Sequence, residues 1–181
     1  MAMLNIPISA IDRNGDLLSE RVDFSELMPK GNYSVVAKEA EVKRNKKNTT
    51  DYLRVAFQVI AGPWKGKWVA RHFMLWMPDA HALKNPRTGQ PDPELVDRAR
   101  KNQEKAEKLL AAFCRQIGIP DMLEDTDHLL NKPVVVFIDT NKGSNGYPDK
   151  DEIYAFRTEE PDTSTWTPPE PVKELDDDVP F

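Results

Sequence analysis

The chain has 181 residues, which suits one domain with an appendage, and its 39 % apolar content supplies one core but not a chain packed from end to end. No stretch approaches the roughly 18 apolar residues of a membrane span, and Met1–Ala10 lacks a basic segment followed by an apolar run, so neither an anchor nor an export signal is expected. The single cysteine, Cys114, excludes an internal disulfide and points to the cytoplasm, while the net charge of −5 conceals a strong segregation of charge along the chain.

Residues 1–30 are mixed, with Asn14-Gly15 as a tight turn. A first strand is expected over Tyr33–Val42, where Val35, Val36, Ala40 and Val42 are apolar and their phase slips near Ala37 and Lys38, as in a bulged, curved strand. Lys43 to Thr50 reads as an exposed basic hairpin loop. The second strand alternates cleanly: Leu53, Val55, Phe57 and Val59 point one way, and Tyr52, Arg54, Ala56 and Gln58 the other. Gly62 to Lys67 forms a turn into a third strand, Trp68–Met77, with Val69, Phe73 and Leu75 inward and Arg71 interrupting that face.

Pro78–Pro91 reads as a polar loop. A helix follows, with Asp92 as N-cap, Pro93 at its first position and Gly118 as its stop. Its apolar stripe is Leu95, Ala99, Ala106, Leu110, Phe113 and Ile117. An acidic connector (Asp121, Glu124, Asp125, Asp127) leads to a fourth strand, Pro133–Ile138, buried on both faces. The loop Asn141–Lys150 then leads to a fifth strand, Glu152–Arg157. After Thr158 the periodicity ends; five of the fifteen prolines lie between Pro161 and Pro180, and with the acids they predict disorder.

Three meandering strands, a helix and two more strands match the connectivity of the OB-fold. The expected fold is therefore mainly β: a five-stranded OB-type β-barrel with one helix between strands 3 and 4, followed by a disordered acidic C-terminal tail. The expected division is a nucleic-acid-binding domain over 1–158 and a tail over 159–181.

Charge follows this division. From Glu159 to Phe181 stand eight acids and one base, Lys173, so the tail is −7 and residues 1–158 carry +2. Between Lys38 and Arg71, nine bases face Glu39, Glu41 and Asp51, a local balance of +6. A basic centre implies a polyanionic ligand. Binding a single strand without sequence preference requires a cationic groove for phosphates and flat side chains on which bases stack. Lys43, Arg44, Lys46 and Lys47 of the hairpin loop are candidates, with Tyr52 and Arg54 of the second strand. Trp64, Lys65 and Lys67 of the turn join them, with Trp68, His72 and Trp76 of the third strand. In an OB-fold, the second and third strands and their loops form the usual ligand face. The partner expected for the body is single-stranded DNA; self-association would extend the few nucleotides that one barrel covers.

Asp176, Asp177, Asp178, Val179, Pro180 and Phe181 form a different kind of signal. Phe181 suits an apolar pocket, the aspartates a basic rim, and the terminal carboxylate a cationic site, so this tip is expected to dock onto partner proteins. It closely resembles the Asp-Asp-Asp-Ile-Pro-Phe ending of bacterial single-stranded-DNA-binding proteins, with Val179 in place of isoleucine. The body resembles a family of phage-encoded proteins of replication and recombination modules. That likeness rests on Gly31-x-Tyr33, the Lys43–Lys47 turn, Ala61-Gly62-Pro63-Trp64-Lys65-Gly66-Lys67, Phe73-x-Leu75 and Phe113-Cys114-Arg115-Gln116-Ile117-Gly118. The resemblance implies coating of single-stranded DNA in phage replication or recombination, with the tip recruiting replication and recombination proteins.

Competing readings have less behind them. The carboxylates of the acidic connector suit a Mg²⁺ site of a nuclease, but no partner carboxylate or general-base pattern accompanies them, so no enzymatic activity is expected. His72, His81 and His128 show no zinc-site spacing, and no phosphate-binding glycine loop is present, so no metal or cofactor is expected. An OB-like adaptor that binds only proteins would use the tail and leave the basic segment idle.

Overall fold

The computed structural model describes residues 24–44, 51–75, 83–119 and 123–170. Five strands form one antiparallel sheet: β1 (Gly31–Arg44), β2 (Asp51–Val59), β3 (Trp68–Met74), β4 (Pro133–Asn141) and β5 (Lys150–Arg157), in the order β3-β2-β1-β4-β5. The helix α1 (Pro93–Gln116) stands between β3 and β4 in the chain. Among the described residues no helix is long and apolar enough to cross a membrane.

β1 holds the sheet together because it is long enough to serve two neighbours. Its first half, Gly31–Val36, pairs with β4, and Val35–Arg44 pairs with β2. The phase slip in the sequence is a β-bulge: Ala37 opposes Phe57 and Glu39 opposes Ala56, leaving Lys38 as the extra residue. The polar groups released there find partners in Asn131, whose N–H donates to the Ala37 carbonyl (2.8 Å) and whose Oδ1 accepts from Lys38 Nζ (3.0 Å).

The inward set of β2 is as the alternation requires. Leu53, Val55, Phe57 and Val59 are buried with Val69 and Phe73 of β3, Val134, Val136 and Ile138 of β4, and Ile153 and Phe156 of β5. Leu75, expected to join them, lies beyond the end of β3 and is exposed. α1 begins as its caps demand: the Asp92 side chain accepts from the N–H groups of Glu94 and Leu95, and Gly118 at φ 83° ends it. The helix packs against β3 and β5, the two edges of the sheet. Phe113 stacks on Phe156 at 4.8 Å and meets Phe57 edge-on at 5.2 Å. Cys114 is buried beside it, and burial pushes its thiol up from the ordinary value.

Two expectations are corrected. The sheet is not closed into a barrel by backbone hydrogen bonds; β3 and β5 remain its edges. Side chains span that seam instead, with Arg71 paired to Glu152 and Lys67 to Asp151 at 2.6 Å. The second correction concerns the segment after β5, expected to detach at Glu159. It runs back over the body: Asn32 Nδ2 donates to the Glu159 carboxylate (3.2 Å), and the Asp162 N–H donates to Ser34 Oγ (2.8 Å). Thr165 Oγ1 donates to the Ile60 carbonyl (2.8 Å). Acidic, proline-rich composition signals disorder only where the backbone lacks partners, and here the body supplies them. The expected docking tip, Asp176 to Phe181, lies outside the described residues.

Candidate nucleic-acid interface

The pairing of β2 with β3 decides which side chains share a surface. Residues directly opposite in an antiparallel pair point to the same side. Tyr52 opposes Met74, Arg54 opposes His72, Ala56 opposes Ala70, and Gln58 opposes Trp68. These pairs form one ledge on the face opposite the inward row of β2, about 20 Å long at 3.3 Å per residue. Ala56 is buried midway along it, and Met74 packs against the core at its end. Trp68, 48 % exposed, stands at one end of it. At the other end the rings of Tyr52 and His72 meet edge-to-face at 5.2 Å. Across β1, Lys43 opposes Tyr52 and Glu41 opposes Arg54, so the ledge continues onto the basic end of that strand.

The charge of the ledge registers on His72. Burial, then Lys150, Arg54, Arg71 and Lys43, hold its imidazole below the usual 6.5. Cations thus converge on it from β1, β2, β3 and β5. Most are already engaged: Lys43 with Glu41 at 2.7 Å, Arg54 with Glu39 at 3.1 Å, and Arg71 with Glu152. The Lys43 and Arg54 pairs are exposed and weak, worth about 0–1 kcal/mol, and a polyanion can take over their cations, whereas the Arg71–Glu152 pair is largely buried. Among the described residues Lys150 has no carboxylate partner.

Of the residues singled out in the sequence, Lys43, Tyr52, Arg54, Trp68 and His72 are brought together on this surface. Arg44 is held by Asp51 in a two-point contact of 2.6 and 3.0 Å at the mouth of the β1–β2 hairpin. Lys65 donates to the Thr165 carbonyl at 2.6 Å and so anchors the returning C-terminal segment.

Trp64 and Lys67 do not belong to the ledge. Trp64 is only 8 % exposed and packs in the core, and Lys67 Nζ lies 4.8 Å from its ring centroid. Lys67 is itself buried, bonded to Asp151 and to the Glu26 carbonyl, while Asp151 also accepts the Met28 N–H at 2.8 Å. This network ties the segment before β1 to the β2–β3 turn and to β5. A buried ammonium so engaged is structural rather than a phosphate contact. Lys46, Lys47 and Trp76 lie outside the described residues.

Sequence reasoning missed Lys150 and left the direction of Arg71 open. The only sign of Arg71 was its intrusion into an otherwise apolar face, which is what a side chain bridging the β3–β5 seam produces. The acidic connector has a local role: Asp125 caps the 3-10 turn Thr126–Leu129, accepting the Asp127 N–H at 2.9 Å.

Residues 16–88 match a family model described as "Protein of unknown function (DUF669)". The matched segment contains β1, β2 and β3, and with them the whole ledge. No curated protein matches the chain.

Proposed function

We propose that this protein binds single-stranded DNA on the β2–β3 ledge, with little sequence preference, in replication or recombination. The observation that carries the reading is the register that sets Arg54 opposite His72 and Gln58 opposite Trp68, with Tyr52 beside them on the same face. Aromatic faces and cations interleaved along a strand pair suit bases and phosphates alternating along a nucleic-acid strand. The reading is supported by the strand order and the helix position, which fit a partly open OB-type barrel whose β3–β5 seam is spanned by side chains. In that fold the β2–β3 face is the usual oligonucleotide surface.

The returning segment binds the sheet at Asn32 and Ser34 of β1 and reaches the β2–β3 turn at Ile60 and Lys65, at the Trp68 end of the ledge. The acidic tip, Asp176 to Phe181, has in this reading the task of recruiting replication or recombination proteins. The test is a chemical-shift map of the full chain with oligothymidine. Binding should perturb Tyr52, Arg54, Gln58, Trp68 and His72 and spare Asn32 and Ser34. Perturbations confined to Asn32 and Ser34, or none at low salt, would defeat the proposal and favour a protein-binding adaptor.

A further inference from the structure

At the Tyr52 end of the ledge the surface dips into a cleft of about 390 Å³ between β3 and α1. Tyr52, His72 and Met74 form one wall, and Arg71, Asn102 and Lys105 supply polar groups around it. The volume falls within the roughly 300–1,000 Å³ of small-molecule sites, and the mixture of flat, apolar and cationic groups is unlike a packing defect. Asn102 and Lys105 come from the exposed side of α1, one helical turn apart.

The donors here have capacity to spare. Arginine carries five N–H groups in a fixed fork. In Arg71 only Nη1 is bonded among the described residues, to Glu152, and Nε is buried with no acceptor. A buried donor without a partner is costly. Nε itself is out of reach of a ligand, but the side chain lines the cleft, and the outer N–H groups of its fork are what it can offer an arriving oxyanion. Lys105 has no carboxylate partner among the described residues, and Asn102 offers both a donor and an acceptor. His72, whose imidazole is held below its ordinary value first by burial and then by Lys150, Arg54, Arg71 and Lys43, stands beside these cations.

We infer that this cleft is a subsite for one nucleotide, its base against Tyr52, His72 and Met74 and its phosphate between Arg71 and Lys105. The inference rests on the single-strand reading of the ledge and adds to it a place where one nucleotide leaves the flat surface and is enclosed. Asn102 is placed to bond an edge of the base, so this position would carry whatever base preference the protein has.

The experiment is a nitrogen-15 NMR titration of the full chain with thymidine 5′-monophosphate, thymidine and inorganic phosphate, alongside oligothymidine binding. The monophosphate should perturb Asn102, Lys105 and His72 together and saturate at lower concentration than either half of it. Lys105→Glu, on the exposed helix face, should weaken both the monophosphate and the oligonucleotide by about fivefold or more. Asn102→Ala should weaken the monophosphate without altering the fold. If inorganic phosphate reproduces the whole response, the cleft is an anion site and the nucleotide assignment is overturned. If oligothymidine binds tightly but the monophosphate leaves Asn102 and Lys105 unmoved, the cleft assignment fails while the ledge reading stands. If the monophosphate seats in the cleft but no oligonucleotide binds, the cleft assignment holds and the ledge reading fails.

Discussion

Two tryptophans four residues apart should respond to truncation in opposite ways. Trp68 lies on the ledge opposite Gln58, about half exposed, so Trp68→Ala removes little packing. If bases stack on it, the loss is about 1–3 kcal/mol, or roughly 5- to 150-fold in affinity. Trp64 packs in the core under the Lys67 ammonium, and large-to-small changes at such a site cost about 3–5 kcal/mol. At about 2–4 °C per kcal/mol for a domain of this size, Trp64→Ala should lower Tm by roughly 6–20 °C. Fluorescence anisotropy of labelled oligothymidine at fixed salt, paired with thermal melts of each variant, separates the two. Trp68→Ala should weaken binding at nearly unchanged Tm. Trp64→Ala should lower Tm and, well below its melting range, bind almost normally. Trp68→Ala binding within twofold of the parent, or Trp64→Ala melting unchanged, would refute the assignment of ledge and core.

Three further outcomes are expected. Glu39→Gln releases Arg54 from a pair worth about 0.2–1 kcal/mol, so single-strand affinity should rise up to about fivefold and become more salt-sensitive; a fall in affinity would remove Arg54 from the phosphate path. Because burial and the surrounding cations lower the His72 pKa in the folded state, the unfolded chain takes up that proton first as pH falls below 6.5. His72 should therefore cost no stability above 6.5 and a growing amount below it, and His72→Gln should flatten that part of a pH series of denaturant melts; an unchanged slope would contradict the assignment. Lys67→Met leaves Asp151 buried without its cation and should destabilise by about 3–5 kcal/mol, partly recovered in Lys67→Met/Asp151→Asn, as read from urea titrations.

Legibility in the sequence followed the reach of each interaction. The bulge at Lys38, the outward row of β2 and both ends of α1 are written in local spacing, because periodicity and capping involve neighbours in the chain. Trp64 and Lys67 misled for the opposite reason. A tryptophan and a lysine in a glycine turn look exposed, and only Asp151, Met28 and Glu26, brought in by folding, make them interior. The open β3–β5 seam depends on hydrogen-bond geometry that alternation does not encode. The docking of residues 159–165 runs through a backbone N–H, serine and threonine hydroxyls and a lysine, none of which imposes a period. Of the candidate ligand residues, those on alternating strands could be placed in advance; those at the seam and on α1 required the three-dimensional arrangement.

The central claim is that the ledge takes a single strand by stacking and phosphate neutralisation. The direct test is the affinity of the full chain for a labelled oligothymidine and for a matched duplex across a salt series. Four neutralised phosphates predict a slope of log K against log salt of about −3, with the duplex at least about tenfold weaker. Equal affinity for duplex and single strand, or no binding at low salt, would contradict the account.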